Sequence, residues 1–216
     1  GITNLKETDF ARGIGMDVII TDHHECKDEL PNAAAVVNPH RPDCPYPFKQ
    51  LAGVGVALKL CLALTPEAER SQTLANYVDL AAVGTVADVM SLTDENRTIV
   101  SMGLRALSHT RRPGLVMLMR ECGLEGKLIS ASSIGFTLAP RINAAGRMGC
   151  PQVAAQLLMT QSAEDGAALA QTLCDLNRER QLIEQEIFAQ CLEILEQLPD
   201  VDVIFVPIGG GGLIAG

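Results

Sequence analysis

The sequence predicts an α/β fold built on a parallel sheet, and three observations carry that expectation. Val18-Ile19-Ile20 is an unbroken apolar run preceded by turn residues, and Ala34 to Val37 is a second one ended by Asn38-Pro39. Helix, strand and loop patterns alternate around these runs, as they do in parallel sheets. From Ser162 onward the chain then settles into one helical period that runs far longer than an ordinary domain helix.

The elements follow in order. Residues 3–13 read as a short helix, capped by Thr3 or Asn4 and closed near Gly13 or Gly15. The first strand covers Val18 to Ile20 and delivers Asp22-His23-His24 at its carboxyl end. After the second strand, Pro39, Pro42, Pro45 and Pro47 exclude regular structure. Helices are expected over Gly53 to Leu64, Ser71 to Val83 and Asp94 to Ser108, with short helix and connections from Arg111 to Ile129. The segment from Pro140 to Arg147 reads as a loop, and Pro151 suits the first position of a helix over 151–160. Ser162 caps the last helix, with Glu164 and Asp165 in its first turn. Apolar residues at 169, 173, 176, 183, 187, 191, 194 and 198 give it about 35 residues, roughly 50 Å at 1.5 Å per residue. A helix of that length connects domains or forms a coiled-coil contact.

Composition narrows the function classes. With 216 residues, 47% hydrophobic and 20% charged, the chain is that of a globular protein. Its net charge of −9 argues against a generic nucleic-acid binder, and five Phe, two Tyr and no Trp leave few stacking platforms. No apolar run reaches the ~18 residues of a membrane span, and no cationic segment followed by an apolar one marks a signal peptide. Seven scattered cysteines without a C-x-x-C read as reduced thiols, small core residues of a cytoplasmic protein. Charge is uneven, however. Residues 105–147 hold seven basic groups against two acidic ones, whereas residues 162–202 hold ten acidic groups against two basic ones. The basic middle is either a local anion-binding face or ordinary surface fluctuation.

Four groups of residues could carry chemistry. Asp22-His23-His24 leaves a strand where open α/β sheets bind ligands, and its side chains suit Mn²⁺, Mg²⁺ or Zn²⁺. One His could ligate while the other points at substrate and Asp22 orients a ring; the alternative is an exposed turn. Asp88 stands alone in the apolar stretch Val83 to Met90, as a paired or metal-bound buried carboxylate or as a helix cap. Gly53-Val54-Gly55 could cradle a phosphate or allow close helix packing. Arg141, Asn143 and Arg147, with little bulk between them, suit phosphate oxygens or a structural arginine network.

Taken together, these segments resemble a known family. Gly15 to Glu25, with Asp22-His23-His24 at its heart, is similar to the DHH motif of the DHH phosphoesterase superfamily. Val36 to Pro39, Cys44 to Phe48, Leu51 to Ala57, Gly84 to Met90 and Pro140 to Arg147 resemble, in order, segments of the RecJ single-strand-specific exonucleases. The resemblance implies a two-metal phosphodiesterase using Mn²⁺ or Mg²⁺, degrading single-stranded DNA from its 5′ end in repair and recombination. It implies His23 and Asp88 as metal ligands, His24 at the scissile phosphate, Asp22 as support, and Arg141, Asn143 and Arg147 on the DNA backbone. It divides the chain into a partial catalytic domain, 1–160, a connecting helix, 161–198, and a glycine-rich tail, 199–216.

Two departures from the family pattern set further expectations. The aspartate motifs that supply the remaining ligands precede the DHH motif in the family, so the chain is expected to lack them and to have little nuclease activity alone. The shortened sheet would leave an apolar edge open to self-association. Pro199 to Leu213, with four consecutive glycines, resembles the phosphate-binding loop of fold-type II pyridoxal-phosphate enzymes. No matching Schiff-base lysine accompanies it, so the tail is read as a fusion junction without a working cofactor site. The competing readings are a non-catalytic nucleic-acid-binding or interaction module and a pyridoxal-phosphate lyase fragment.

Overall fold

The computed structural model describes residues 1–196, so the glycine-rich tail lies outside the described residues. The chain forms two compact units. The first comprises Gly1–Arg111 with Cys122–Ala139, and the second comprises Arg112–Glu121 with the chain from Pro140 onward.

In the first unit, α1 (Leu5–Gly13) leads through Gly15, at φ +85°, into β1 (Ile19–Thr21). Asn4 stands at the start of α1 without capping through its side chain. β1 pairs in parallel with β2 (Ala35–Val37), Ile20 opposite Val36. The amides of Ala34 and Asp22 extend the ladder, donating to Val18 O and Val37 O at 2.8 and 3.0 Å. The parallel pairing matches the sequence expectation, with two strands among the described residues. Arg41 donates to the Val36 carbonyl at 2.6 Å and also pairs with Asp43.

Three helices build the core beside the strands. They are α2 (Gly53–Leu64), α3 (Arg70–Ala87) and α4 (Asp94–Leu107), with α3 packed between the other two. Leu51, Val56, Leu58, Val78, Ala81 and Ile99 are buried together, and Tyr46, Phe48 and Leu74 pack against them. Helix α3 is longer than expected at both ends and follows a 3₁₀ turn over Glu67–Glu69. Glycine decides how closely α3 and α4 approach: a Cβ at Gly103 would lie 2.5 Å from the Val78 carbonyl oxygen and 2.2 Å from Ala82 Cβ. Asn96, fully buried, donates to Gln50 O and Ser91 O at 2.5 and 3.0 Å, fastening the end of the proline-rich loop to α4. A short turn α6 (Ala131–Ser133), closed by a reciprocal Ser130–Ser133 capping box, runs into a π-helical stretch, Ile134–Leu138, that packs on α3.

The second unit consists of α5 (Pro113–Glu121), α7 (Ala139–Arg147, entered from the first unit), α8 (Pro151–Met159) and α9 (Ala163–Glu196). Ser162 caps α9 as expected, its Oγ accepting from the Asp165 amide at 3.1 Å. Leu115, Leu118, Leu157, Ala170 and Leu173 are fully buried where α5, α8 and α9 meet. From Leu182 onward α9 instead exposes apolar side chains, Phe188 by 65% and Ile194 by 58%. No helix among the described residues is long and apolar enough to cross a membrane.

Two sequence expectations are corrected. The segment 140–147 is helix: Ala144 and Ala145 bury completely, and Pro140, which has no N–H to donate, follows directly on the π-helical stretch Ile134–Leu138. The cysteines are free, but none of the seven is buried: Cys61 is exposed and the others are partly so.

Gly103→Ala is expected to lower stability by about 1–3 kcal/mol in denaturant unfolding, since backbone rather than a flexible side chain must yield. Gly146→Ala, where a Cβ meets nothing within 4 Å, is expected to raise it by about 0.5–1 kcal/mol.

Candidate metal centre

The end of β1 carries the densest group of polar side chains. Asp22, His23 and His24 each bring one potential ligand atom within 4.8 Å of the others. Their roles are unequal, because Asp22 is already engaged. It is 9% exposed. Its Oδ2 accepts the Ile2 amide at 2.6 Å. Its Oδ1 accepts the His23 amide at 2.7 Å, the His24 amide at 3.1 Å and the His24 ring Nδ1 at 2.7 Å. Four donors thus converge on one carboxylate, three of them on Oδ1. Burial alone would raise its pKa, but the hydrogen bonds from Ile2, the His24 ring and the two histidine amides outweigh it and hold the carboxyl well below the usual range.

An ionised Asp22 requires a proton on His24 Nδ1, which leaves Nε2 as the ring nitrogen available to a ligand. The His24 side chain is 72% exposed. Asn38, 3% exposed, anchors the same loop: its amide donates to His24 O at 2.9 Å while its Oδ1 accepts the His40 amide at 2.9 Å. His40 in turn meets Glu25 at 2.9 Å. Asn38 and this pair carry no functional reading in the sequence, although the Asn-Pro turn marks where such an anchor sits.

His23 turns the other way. Its Nε2 lies 3.3 Å from Asp88 Oδ2, and the two side chains are 14% and 45% exposed. Asp88 follows the last residue of α3, so it is both a helix-terminal residue and an open carboxylate, not the buried one that its apolar neighbours suggest. Two ligands at ~2.1 Å on adjacent coordination positions stand ~3 Å apart, so this nitrogen–oxygen pair fits one divalent ion. The two histidine rings lie 4.4 Å apart at 47°.

The glycine pair read as a phosphate cradle or a packing device resolves to packing. Gly53 faces the His23 ring and Gly55 faces Leu51, a Cβ at either one standing 3.2 Å from a side-chain carbon. A cleft of about 370 Å³ lies beside β2, lined by Asn38, Arg41, Tyr46, Leu51 and Lys59 among others, and not by the Asp22–His24 run or Asp88. Its two bases are neutralised by Asp43 and Glu95.

Arg141, Asn143 and Arg147 lie on α7. At about 100° per residue, Asn143 and Arg147 share a face, whereas Arg141 is about 160° from Asn143 and about 120° from Arg147. Asn143 and Arg147 are exposed and Arg141 is half-buried. The helix therefore presents one amide and one guanidinium together, not three groups.

Asp22→Asn sets an amide against donors on both oxygens and is expected to cost about 1–3 kcal/mol at pH 7, read by denaturant unfolding. Because the folded-state pKa lies below the unfolded one, Asp22 stabilises the protein fully above about pH 4 and progressively less as pH falls below that. An acid titration of stability should show this loss in the wild type and a smaller one in Asp22→Asn.

Comparison with known proteins shows what the chain is similar to. Residues 1–85 match the DHH family, N-terminal domain. The single-stranded-DNA-specific exonuclease RecJ of Bacillus subtilis is 43% identical over 197 residues, 91% of this chain and 24% of its own length. The crystal structure of RecJ in complex with Mn²⁺ from Thermus thermophilus superposes with TM-score 0.77 at 38% identity, covering 89% of this chain and 29% of that one. A structure of exonuclease RecJ bound to manganese gives TM-score 0.78 at 37% identity, over 89% of this chain and 48% of that one. The chain thus spans about a quarter of the Bacillus relative and half or less of these solved structures. Residues 1–85 thus match the DHH family, N-terminal domain, and over most of its length the chain is similar in sequence and in fold to part of the RecJ exonucleases.

Proposed function

We propose that this chain is the metal-binding part of a phosphodiesterase that hydrolyses single-stranded DNA from its 5′ end. The observation that carries the reading is the 3.3 Å approach of His23 Nε2 to Asp88 Oδ2, made by residues from the end of a strand and the end of a distant helix. Mn²⁺ or Mg²⁺ is the ion, in keeping with the metals named for the RecJ structures. Such an ion takes about six donors, so His23 and Asp88 fill part of its set. When bound it supplies Lewis-acid stabilisation of the phosphodiester oxygens.

The chain's own residues supply the rest. Asp22 accepts the Nδ1 proton of His24 and holds the ring in place, and an imidazolium held there donates from Nε2 to a phosphate oxygen. Asn38 fixes the backbone behind it. On α7, Asn143 and Arg147 are the exposed pair for a DNA phosphate, and Arg141, turned to another side of the helix, is not part of that pair. The exposed apolar side chains beyond Leu182 support α9 as the connector between this part and a further domain.

Titration with Mn²⁺ alone tests the ligands. His23→Ala and Asp88→Ala are each expected to weaken binding at least about tenfold with helical content unchanged by circular dichroism. Wild-type affinity in both variants would exclude the pair as ligands. Arg147→Ala is expected to weaken single-stranded DNA binding alike for all sequences and to reduce the salt slope by about 0.7–1. An unchanged slope would remove Arg147 from the DNA interface.

A further inference from the structure

His23 and Asp88 share no element, so something must set their separation. Two adjacent residues of α2 touch both sides. A Cβ at Gly53 would stand 3.2 Å from His23 Cδ2 and 3.8 Å from its Nε2, so the ring lies directly on the helix backbone. The ring cannot retreat freely, with the His24 ring tilted against it at 4.4 Å and its own amide held by Asp22. The next residue, Val54, supports the other partner. A Cβ at Gly84 would stand 2.7 Å from Val54 Cγ1, so the last turn of α3 rests on that isopropyl group. Gly84 belongs to the same turn as Asp88, whose amide donates to its carbonyl at 3.0 Å. That turn is held from outside and not by its own preference. Val89, immediately after Asp88, has φ +55°, a region that a β-branched residue avoids, and Met90 N closes the reversal on Thr85 O at 3.3 Å.

We propose that the first turn of α2 is the spacer of the metal centre: Gly53 positions the His23 imidazole, and Val54 positions the turn that ends in Asp88. The proposal deepens the reading of His23 and Asp88 as ligands and rests on it. A methyl group at residue 53 moves the imidazole by a few tenths of an ångström, and removal of the isopropyl at 54 lets the α3 end settle. Either change alters the distance on which shared coordination depends, without touching a ligand.

The test compares Gly53→Ala with Gly55→Ala in the full chain. Gly55 is a matched control: a Cβ there also lies 3.2 Å from a neighbour, but that neighbour is Leu51. Two quantities are read: affinity for Mn²⁺ alone, and the ¹⁵N resonance of His23 Nε2 without metal. Gly53→Ala is expected to weaken Mn²⁺ binding about tenfold or more and to shift the resonance, while Gly55→Ala, at comparable melting temperature, changes affinity less than about twofold and leaves the resonance in place. Equal effects of the two variants, or no effect of either, overturn the spacer. Should Gly53→Ala fail to fold, Val54→Ala takes its place with the same expectations. If His23→Ala and Asp88→Ala bind Mn²⁺ as the wild type does, the ligand reading fails, and the metal-free resonance alone then decides whether α2 positions His23.

Discussion

One buried carboxylate does two jobs that would otherwise conflict. The backbone of Asp22 is the last rung of the β1–β2 ladder, while its side chain gathers the amide of Ile2, two histidine amides and one imidazole. A charge taken out of water is costly, and it is tolerated here because both oxygens accept hydrogen bonds, four in all. The strand thereby ends in a loop that cannot drift. Each consecutive histidine is committed before any ligand arrives, His24 by its ring bond and His23 by the direction that its tethered backbone imposes.

From that anchor outward, precision comes from close packing and less from charge. Gly84 and Gly103 each sit where a neighbouring side chain or backbone leaves no room for a methyl group, so α2, α3 and α4 approach closely, and Gly53 lets the His23 ring lie against α2. The ion pairs nearby, Lys59 with Glu95 and Arg41 with Asp43, are partly exposed and contribute little to stability. Their effect is local: Glu95 also accepts from Tyr46, fixing the proline-rich loop on α4, and Arg41 occupies a carbonyl of β2 that would otherwise be open for pairing.

The helices were legible because their signals are local. Gly53–Leu64 follows from apolar density between breakers, and the Ser162 cap and its acidic first turn mark the start of α9. The α7 segment was not, since Pro140, Asn143 and Gly146 each signal a turn, and only the burial of Ala144 and Ala145 overrides them. The candidate site divides in the same way. Asp22-His23-His24 at a strand end is visible as a pattern. The exposure of Asp88, the anchoring role of Asn38 and the contact of Gly53 with His23 depend on which distant segments meet, and no spacing in one sequence encodes that. The cysteines misled for a related reason: their usual preference for burial says nothing about where the helix faces of this chain turn.

Helix α9 is fixed at one end and bare at the other. Its first half is clamped by α5 and α8, with Ala170 and Leu173 fully buried, whereas from Gln181 to Glu196 it projects for about 22 Å at 1.5 Å per residue. A rigid rod held this way is a lever. A tilt of about 5° in the clamp displaces its tip by about 2 Å, more than the difference between a bonded and a broken ligand contact. Gly114 and Gly166, which let the clamp close to backbone contact, therefore govern the direction in which the exposed half of α9 points.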